Sequence, residues 1–211
     1  MKNRLLLIRH GETKWNEERR FQGNTDVPLN EKGIQQAKAL RERLAKFKFD
    51  ACYTSDLSRA KDTAALIAEP HSLPLQECAA LREVNFGAWE GLTGAQINED
   101  YEDSLKKWRR NPRFVRPPGG ETLEELTQRT MEAVQKIVHE YPEGQALLIS
   151  HGGTIRCIIT AVLGVDFNYY WRIRQDNTAL SIVDFYREDR AVLSLLNDCS
   201  HLSQGHVPEI Y

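Results

Sequence analysis

Arg4-Leu5-Leu6-Leu7-Ile8-Arg9-His10-Gly11-Glu12-Thr13-Lys14-Trp15-Asn16 is the stretch around which this chain is organised. Four apolar residues run unbroken from Leu5 to Ile8 and stop at Arg9, His10 and Gly11. A short apolar run closed by glycine predicts a buried strand feeding a loop. In open α/β sheets, ligands sit outside the carboxyl ends of the strands. Arg9 and His10 are therefore expected to face an anionic substrate. The same design recurs at Ala146-Leu147-Leu148-Ile149-Ser150-His151-Gly152-Gly153. Parallel neighbours end on the same side of a sheet, so His10 and His151 can converge. A third strand-to-helix turn, Tyr53-Thr54-Ser55-Asp56-Leu57-Ser58-Arg59-Ala60, puts Arg59 in the first turn of a helix at that edge. Free N–H groups at helix starts also favour phosphate. Arg9, Arg59, His10 and His151 thus predict a phosphate-sized pocket holding a nucleophile.

Each residue alone has a blander reading. A histidine at a strand end is commonly a hydrogen-bonded structural residue, and an arginine in a first helical turn is commonly solvated. A zinc site built on His10, His151 and a carboxylate is the chemical alternative. It lacks a local ligand pair such as H-E-x-x-H, and neighbouring arginines disfavour a dication.

The rest of the chain alternates between strands and helices. Asn30 can cap a helix from Glu31 to about Phe47, whose apolar face is Ile34, Ala37, Leu40, Leu44 and Phe47. Ala51 to Thr54 reads as a strand, and Ser55 and Asp56 as the start of a second helix. Leu75 to Cys78 is a further short strand, and Leu81 to Gly94, rich in Gly and aromatics, reads as a loop. One or two short helices follow over 95–111, then a Pro- and Gly-rich loop over 112–120. Thr122 and Glu125 form a capping box for a helix to about Glu140. A helix from Thr154 to Leu163 and a hairpin at 179–186 and 191–196, turning at 187–190, complete the pattern; beyond Ser200 there is none. The expected architecture is three-layer α/β/α with a mostly parallel central sheet. It forms one domain over 1–211 with a small helical cap at about 81–120.

Composition narrows the function. The chain has 211 residues, 27% of them charged, and a net charge of −2, which argues against general nucleic-acid or membrane binding. The basic-aromatic stretch over 106–116 then reads as a solvated rim rather than a single-strand binder. The four cysteines are widely spaced with no C-x-x-C pair, which suits buried thiols in a reducing cytoplasm. A signal-peptide pattern and a membrane-length apolar run are both missing from the sequence. The terminal β-stretches could offer an edge for a homodimer.

The chain resembles the histidine phosphatase superfamily, the phosphoglycerate-mutase-like proteins. The likeness begins at Arg9-His10-Gly11-Glu12-Thr13 and continues through Trp15-Asn16, Phe21-Gln22-Gly23, Pro28-Leu29-Asn30-Glu31-Lys32-Gly33 and Ser55-Asp56-Leu57-Ser58-Arg59-Ala60. It extends over Leu81-Arg82-Glu83, Phe86-Gly87-Ala88-Trp89-Glu90-Gly91, Gly119-Gly120-Glu121-Thr122 and Ser150-His151-Gly152-Gly153. It implies that His10 becomes phosphohistidine and that Arg9, Arg59 and His151 form the phosphate pocket. Asn16 matches a further phosphate contact, Gln22, Gly23 and Gly152 match positions at the pocket, and Glu83 matches the proton donor. No metal or other cofactor is implied.

The family holds hydrolases and mutases. Cofactor-dependent mutases tend to carry Arg-His-Tyr-Gly after the acid, whereas this chain has Val84-Asn85-Phe86-Gly87. It also lacks the longer mutase insert between Arg59 and the acid. The phosphatase branch, including α-ribazole phosphatases and metal-independent phosphoserine phosphatases, is the nearer likeness. A small phosphate ester is the expected substrate. The alternatives are a mutase and a phospholigand-binding module without catalysis. Phe86, Trp89, Trp108, Phe114 and Tyr170 are candidates for an aromatic leaving-group pocket, and Arg109 or Arg110 for selection of a carboxylated phosphate.

Overall fold

The computed structural model describes residues 2–186 and 190–202. Their chain order is β1 (Lys2–Arg9), α1 (Lys14–Glu17), α2 (Glu31–Leu44), β2 (Ala51–Thr54), α3 (Ser58–Ala68), β3 (Leu75–Glu77), α4 (Gly94–Asp100), α5 (Glu102–Arg110), α6 (Leu123–Glu140), β4 (Gln145–Ser150), α7 (Gly152–Leu163), β5 (Leu180–Tyr186) and β6 (Ala191–Asp198). The expected turn at 187–190 lies outside the described residues except for Arg190, and so does the tail beyond Leu202.

Among the described residues one six-stranded sheet runs β3-β2-β4-β1-β5-β6. β3, β2, β4 and β1 are mutually parallel, whereas β5 and β6 are antiparallel. The fold is α/β with helices on both faces. Strand periodicity explains the layers. Leu5 and Leu7 of β1 point to one face, where they meet Val134 and Ile137 of α6 and Ile155 and Ile158 of α7. Leu6 and Ile8 point to the other, against Leu40 and Leu44 of α2 and Ala60, Ala64 and Ile67 of α3. A strand covered on both faces needs an unbroken apolar run, and Leu5 to Ile8 are each at most 2% exposed. Each such leucine stabilises the fold by about 1.5–3 kcal/mol through burial.

The helix starts follow their capping residues. Gly33 N donates to the Asn30 side chain at 2.8 Å, and Thr122 and Glu125 exchange the two bonds of a capping box at the head of α6. Three expected helix boundaries move, one of them that of α7, which begins at Gly152 rather than Thr154. α2 ends at Leu44, and Phe47 is 51% exposed, stacked on Phe49 rather than buried on the helix. The helix expected from Ser55 starts at Ser58. Ser55 N still donates to Ile149 O at 3.0 Å, continuing the β2–β4 ladder, while the Asp56 carboxylate is held by Arg82.

Between β3 and α6 the chain builds a small second core over the carboxyl end of the sheet. Trp89, Ile97, Leu105 and Trp108 are buried together there, with Phe21 and Phe86 against them. Three of the six basic side chains over 106–116 are paired at its surface: Lys106 with Glu102, Arg113 with Glu124 and Arg116 with Glu125.

Candidate active site

The register brings the two His-Gly turns side by side. Arg9 pairs with Ser150 at the end of the β1–β4 ladder, and the His10 and His151 ring centroids are 5.1 Å apart. His10 is fixed by its backbone. Its N–H donates to Ser150 O at 3.0 Å, and its carbonyl accepts from Asn177 Nδ2 at 3.1 Å. Gly11 lies so near α2 that a Cβ would sit 2.5 Å from Gly33 O, which explains the glycine.

The imidazole of His10 has one defined tautomer. Nδ1 lies 2.7 Å from Gly11 O, and a carbonyl oxygen can only accept. Nδ1 therefore carries the proton, and Nε2 keeps its lone pair. Burial, together with the Arg59 and Arg9 guanidiniums, holds His10 well below the usual histidine pKa. The ring is neutral at pH 7 and nucleophilic at Nε2.

Arg59 is fully buried at the second position of α3. Nη1 donates to Thr25 O at 2.9 Å and Nη2 to Gly23 O at 2.7 Å, while Nε has no hydrogen-bond partner among the described residues. Burial lowers its pKa to about 10, so it remains a cation at neutral pH. Arg9 is anchored from the opposite side, with Nη1 donating to Gln175 O at 2.7 Å.

A cavity of ≈ 680 Å³ opens here. Its inner wall carries Arg9, His10, Asn16, Gln22, Arg59, Glu83 and Gly152. Asn16 Oδ1 already accepts from Thr13 and Asn177, so the amide NH₂ is what Asn16 can offer a ligand. Gly23 and His151 are not on this wall. Gly23 supports Arg59 through its carbonyl. His151 is fully buried, with Nε2 2.8 Å from Ser55 Oγ, and it too is held well below the usual histidine pKa by burial and then by Arg59.

Glu83 comes from the loop before the second core and docks on the start of α7. Its oxygens accept N–H from Gly153 at 2.9 Å, Thr154 at 3.1 Å and its own neighbour Val84 at 3.0 Å. Gly153 permits this approach, because a Cβ there would lie 2.4 Å from Glu83 Oε1 and 2.8 Å from the Tyr170 hydroxyl. A lone-pair nitrogen between two guanidiniums, with a carboxyl group on the same wall, is an arrangement for phosphoryl transfer.

The outer wall is aromatic and basic. Phe86 and Tyr170 line it, joined by Trp15, Phe21 and Trp171. Trp89 and Trp108 belong to the second core instead, and Phe114 is 62% exposed. Arg109 lines the cavity and Arg110 does not. Arg20 is tied to Glu18 and Gly91 O, and Arg156 to Ile173 O.

The sequence model of the histidine phosphatase superfamily (branch 1) matches residues 5–198. The chain belongs to that superfamily. This histidine phosphatase is 31% identical over 204 residues to phosphoserine phosphatase 1 of Hydrogenobacter thermophilus, covering 97% of this chain and 96% of the relative. It is 33% identical over 211 residues to a probable phosphoglycerate mutase, GpmB, of Salmonella choleraesuis, covering 98% of each. Among solved structures, YhfR of Bacillus stearothermophilus superposes with a TM-score of 0.90 at 33% identity, over 95% of this chain and 100% of that one. The α-ribazole phosphatase of Shigella flexneri superposes with a TM-score of 0.84 at 29% identity, over 93% and 96%. Within the histidine phosphatase described here, no helix among the described residues is long and apolar enough to cross a membrane.

Proposed function

We propose that this enzyme hydrolyses small phosphomonoesters through a phosphohistidine on His10, with no metal. The observation that carries the reading is the Nδ1–Gly11 O bond of 2.7 Å, which leaves Nε2 of a neutral ring as the attacking atom between Arg9 and Arg59. In the first half-reaction Nε2 bonds to phosphorus, the bond from phosphorus to the leaving oxygen breaks, and Glu83 gives that oxygen a proton. In the second, ionised Glu83 takes a proton from water, the hydroxide oxygen bonds to phosphorus, and the N–P bond breaks. Phosphate leaves, and His10 and Glu83 return to their starting states. Arg9 and Arg59 hold the three phosphoryl oxygens throughout, with His151 behind them, since little beyond positioning and charge stabilisation is needed. Acid–base help of the kind assigned to Glu83 is worth about 10²–10⁴-fold.

Phosphoserine and α-ribazole phosphate are the first substrates to try, because relatives bear those names. Their carboxylate or aromatic leaving groups also suit a wall holding Arg109 and five aromatic side chains, Trp15, Phe21, Phe86, Tyr170 and Trp171. The mutase named among the relatives is the second reading. Phosphate release from a panel of these esters, 3-phosphoglycerate and a generic aryl phosphate separates the two. Chelator-resistant release, acid-labile phosphate on the protein and loss of both in His10→Ala are expected. Isomerisation of 3-phosphoglycerate dependent on bisphosphoglycerate, with negligible release, would establish the mutase instead.

A further inference from the structure

Ser55 has no role in the scheme above, yet it is fully buried against a ring of the site. Its Oγ makes two contacts. Leu57 N donates to it at 3.3 Å, and His151 Nε2 lies at 2.8 Å. Among the described residues it has no third polar partner. The Leu57 N–H uses a lone pair of the oxygen, so the open question is where the hydroxyl hydrogen goes. If Nε2 carried a proton and donated to Oγ, the hydroxyl hydrogen and the Nδ1 lone pair would both be buried without partners, against a single unpartnered group, the Nδ1–H, in the other tautomer. If the hydroxyl donates to Nε2, every polar atom of the Ser55 side chain is satisfied. Nε2 is then the bare nitrogen of His151, and the single proton of the neutral ring sits on Nδ1.

That nitrogen is itself notable. Nδ1 of His151 is buried and has no hydrogen-bond partner among the described residues. The ring packs beside His10, with the Arg9, Arg59 and Arg129 cations around it.

We propose that Ser55 is a positioning residue for phosphoryl transfer: its hydroxyl holds His151 as the Nδ1–H tautomer, so that the ring packed against His10 behind the phosphate pocket keeps an N–H there rather than a lone pair. The catalytic half of this statement rests on the phosphohistidine reading, and the tautomer half does not. Without the serine hydroxyl, the Nε2–H and Nδ1–H forms would compete.

Imidazole ¹⁵N chemical shifts of the whole enzyme at neutral pH, assigned with His151→Asn, read the tautomer directly and need no turnover. The expected wild-type pattern for His151 is a protonated Nδ1 and a bare Nε2. A protonated Nε2 in the wild type overturns the proposal even if the enzyme is an active phosphatase. Ser55→Ala is then expected to shift His151 towards Nε2–H and to lower kcat about 10-fold, the worth of one hydrogen bond to a buried group, with KM little changed. Ser55→Ala that keeps both the wild-type ¹⁵N pattern and the wild-type kcat also overturns it. If no phosphate release is seen in the wild type, the functional reading fails, while the ¹⁵N spectrum still decides the tautomer.

Discussion

Gly153→Ala should separate activity from stability in this enzyme. The added methyl would lie 2.4 Å from Glu83 Oε1, about 1 Å inside contact distance, and 2.8 Å from the Tyr170 hydroxyl. Tyr170 is buried and tethered in a short 3₁₀ segment, Phe167–Arg172, so the carboxylate is the group that moves. Swinging out, it gives up the N–H bonds from Gly153 and Thr154. Each bond to a charged group is worth about 1.5–3 kcal/mol before water replaces it at this half-buried position. Alanine in place of glycine near the head of α7 returns about 0.5–1 kcal/mol of helix propensity. Water rehydrates the displaced group and offsets much of the remaining loss, so stability should fall only modestly, read as a small shift in the urea midpoint at unchanged m-value. Catalysis should change more, because the displaced acid no longer reaches the leaving oxygen. Turnover of an alkyl phosphate should fall about 10²–10⁴-fold, the usual worth of general acid–base help. An aryl phosphate, whose leaving group needs less protonation, should lose about 10-fold or less. Glu83→Gln should show the same alkyl-to-aryl contrast, and the double variant little further loss, since both act through one group. Alkyl turnover within about threefold of wild type in folded Gly153→Ala would refute the assignment of Glu83 as the acid.

Two further outcomes follow from the same geometry. Burial and the neighbouring arginines hold His10 and His151 well below the ordinary histidine range, so the unfolded chain binds protons first as pH falls, and stability must decline as the ordinary histidine pKa is passed. Urea titrations should therefore show stability falling as pH drops through the ordinary histidine range, and His151→Asn should remove part of that fall. Arg109→Ala should raise KM for a carboxylated phosphate such as phosphoserine about 10-fold and leave an aryl phosphate unchanged, whereas Arg110→Ala, outside the cavity, should alter neither.

Local signals mark most of the strands. Leu5 to Ile8 and Ala146 to Ile149 are unbroken because both faces of the sheet are covered, and that property is visible in one dimension. Helix ends were less legible. Phe47 fits the helical period of α2 but follows its last turn, and Ser55 looks like a cap although the β2–β4 ladder still holds it. At the site, the arginines and histidines stand at strand and helix ends that can be read from pattern. Their supports cannot, because they arise from pairing across the sheet. The Gln175 carbonyl on Arg9, the Asn177 amide on His10 and the Ser55 hydroxyl on His151 all need the strand order before they mean anything. Aromatic composition was also ambiguous. Trp89 and Trp108 resemble cavity residues in sequence, but the second core claims them, and the cavity takes Trp15 and Trp171 instead.

The turn that enters β5 has a consequence for the order in which the protein matures. Asn177 holds the His10 carbonyl across 167 residues of chain, and Thr178 N bonds the same backbone. During synthesis, β1 and His10 emerge early and wait. Neither their conformation nor the anchoring of Arg9 can be completed until residues 175–178 have left the ribosome. Contacts of such separation form late, after the loops between them have closed. A nascent chain should therefore be catalytically silent through most of its translation, gaining phosphatase chemistry only as the antiparallel edge of the sheet is laid down.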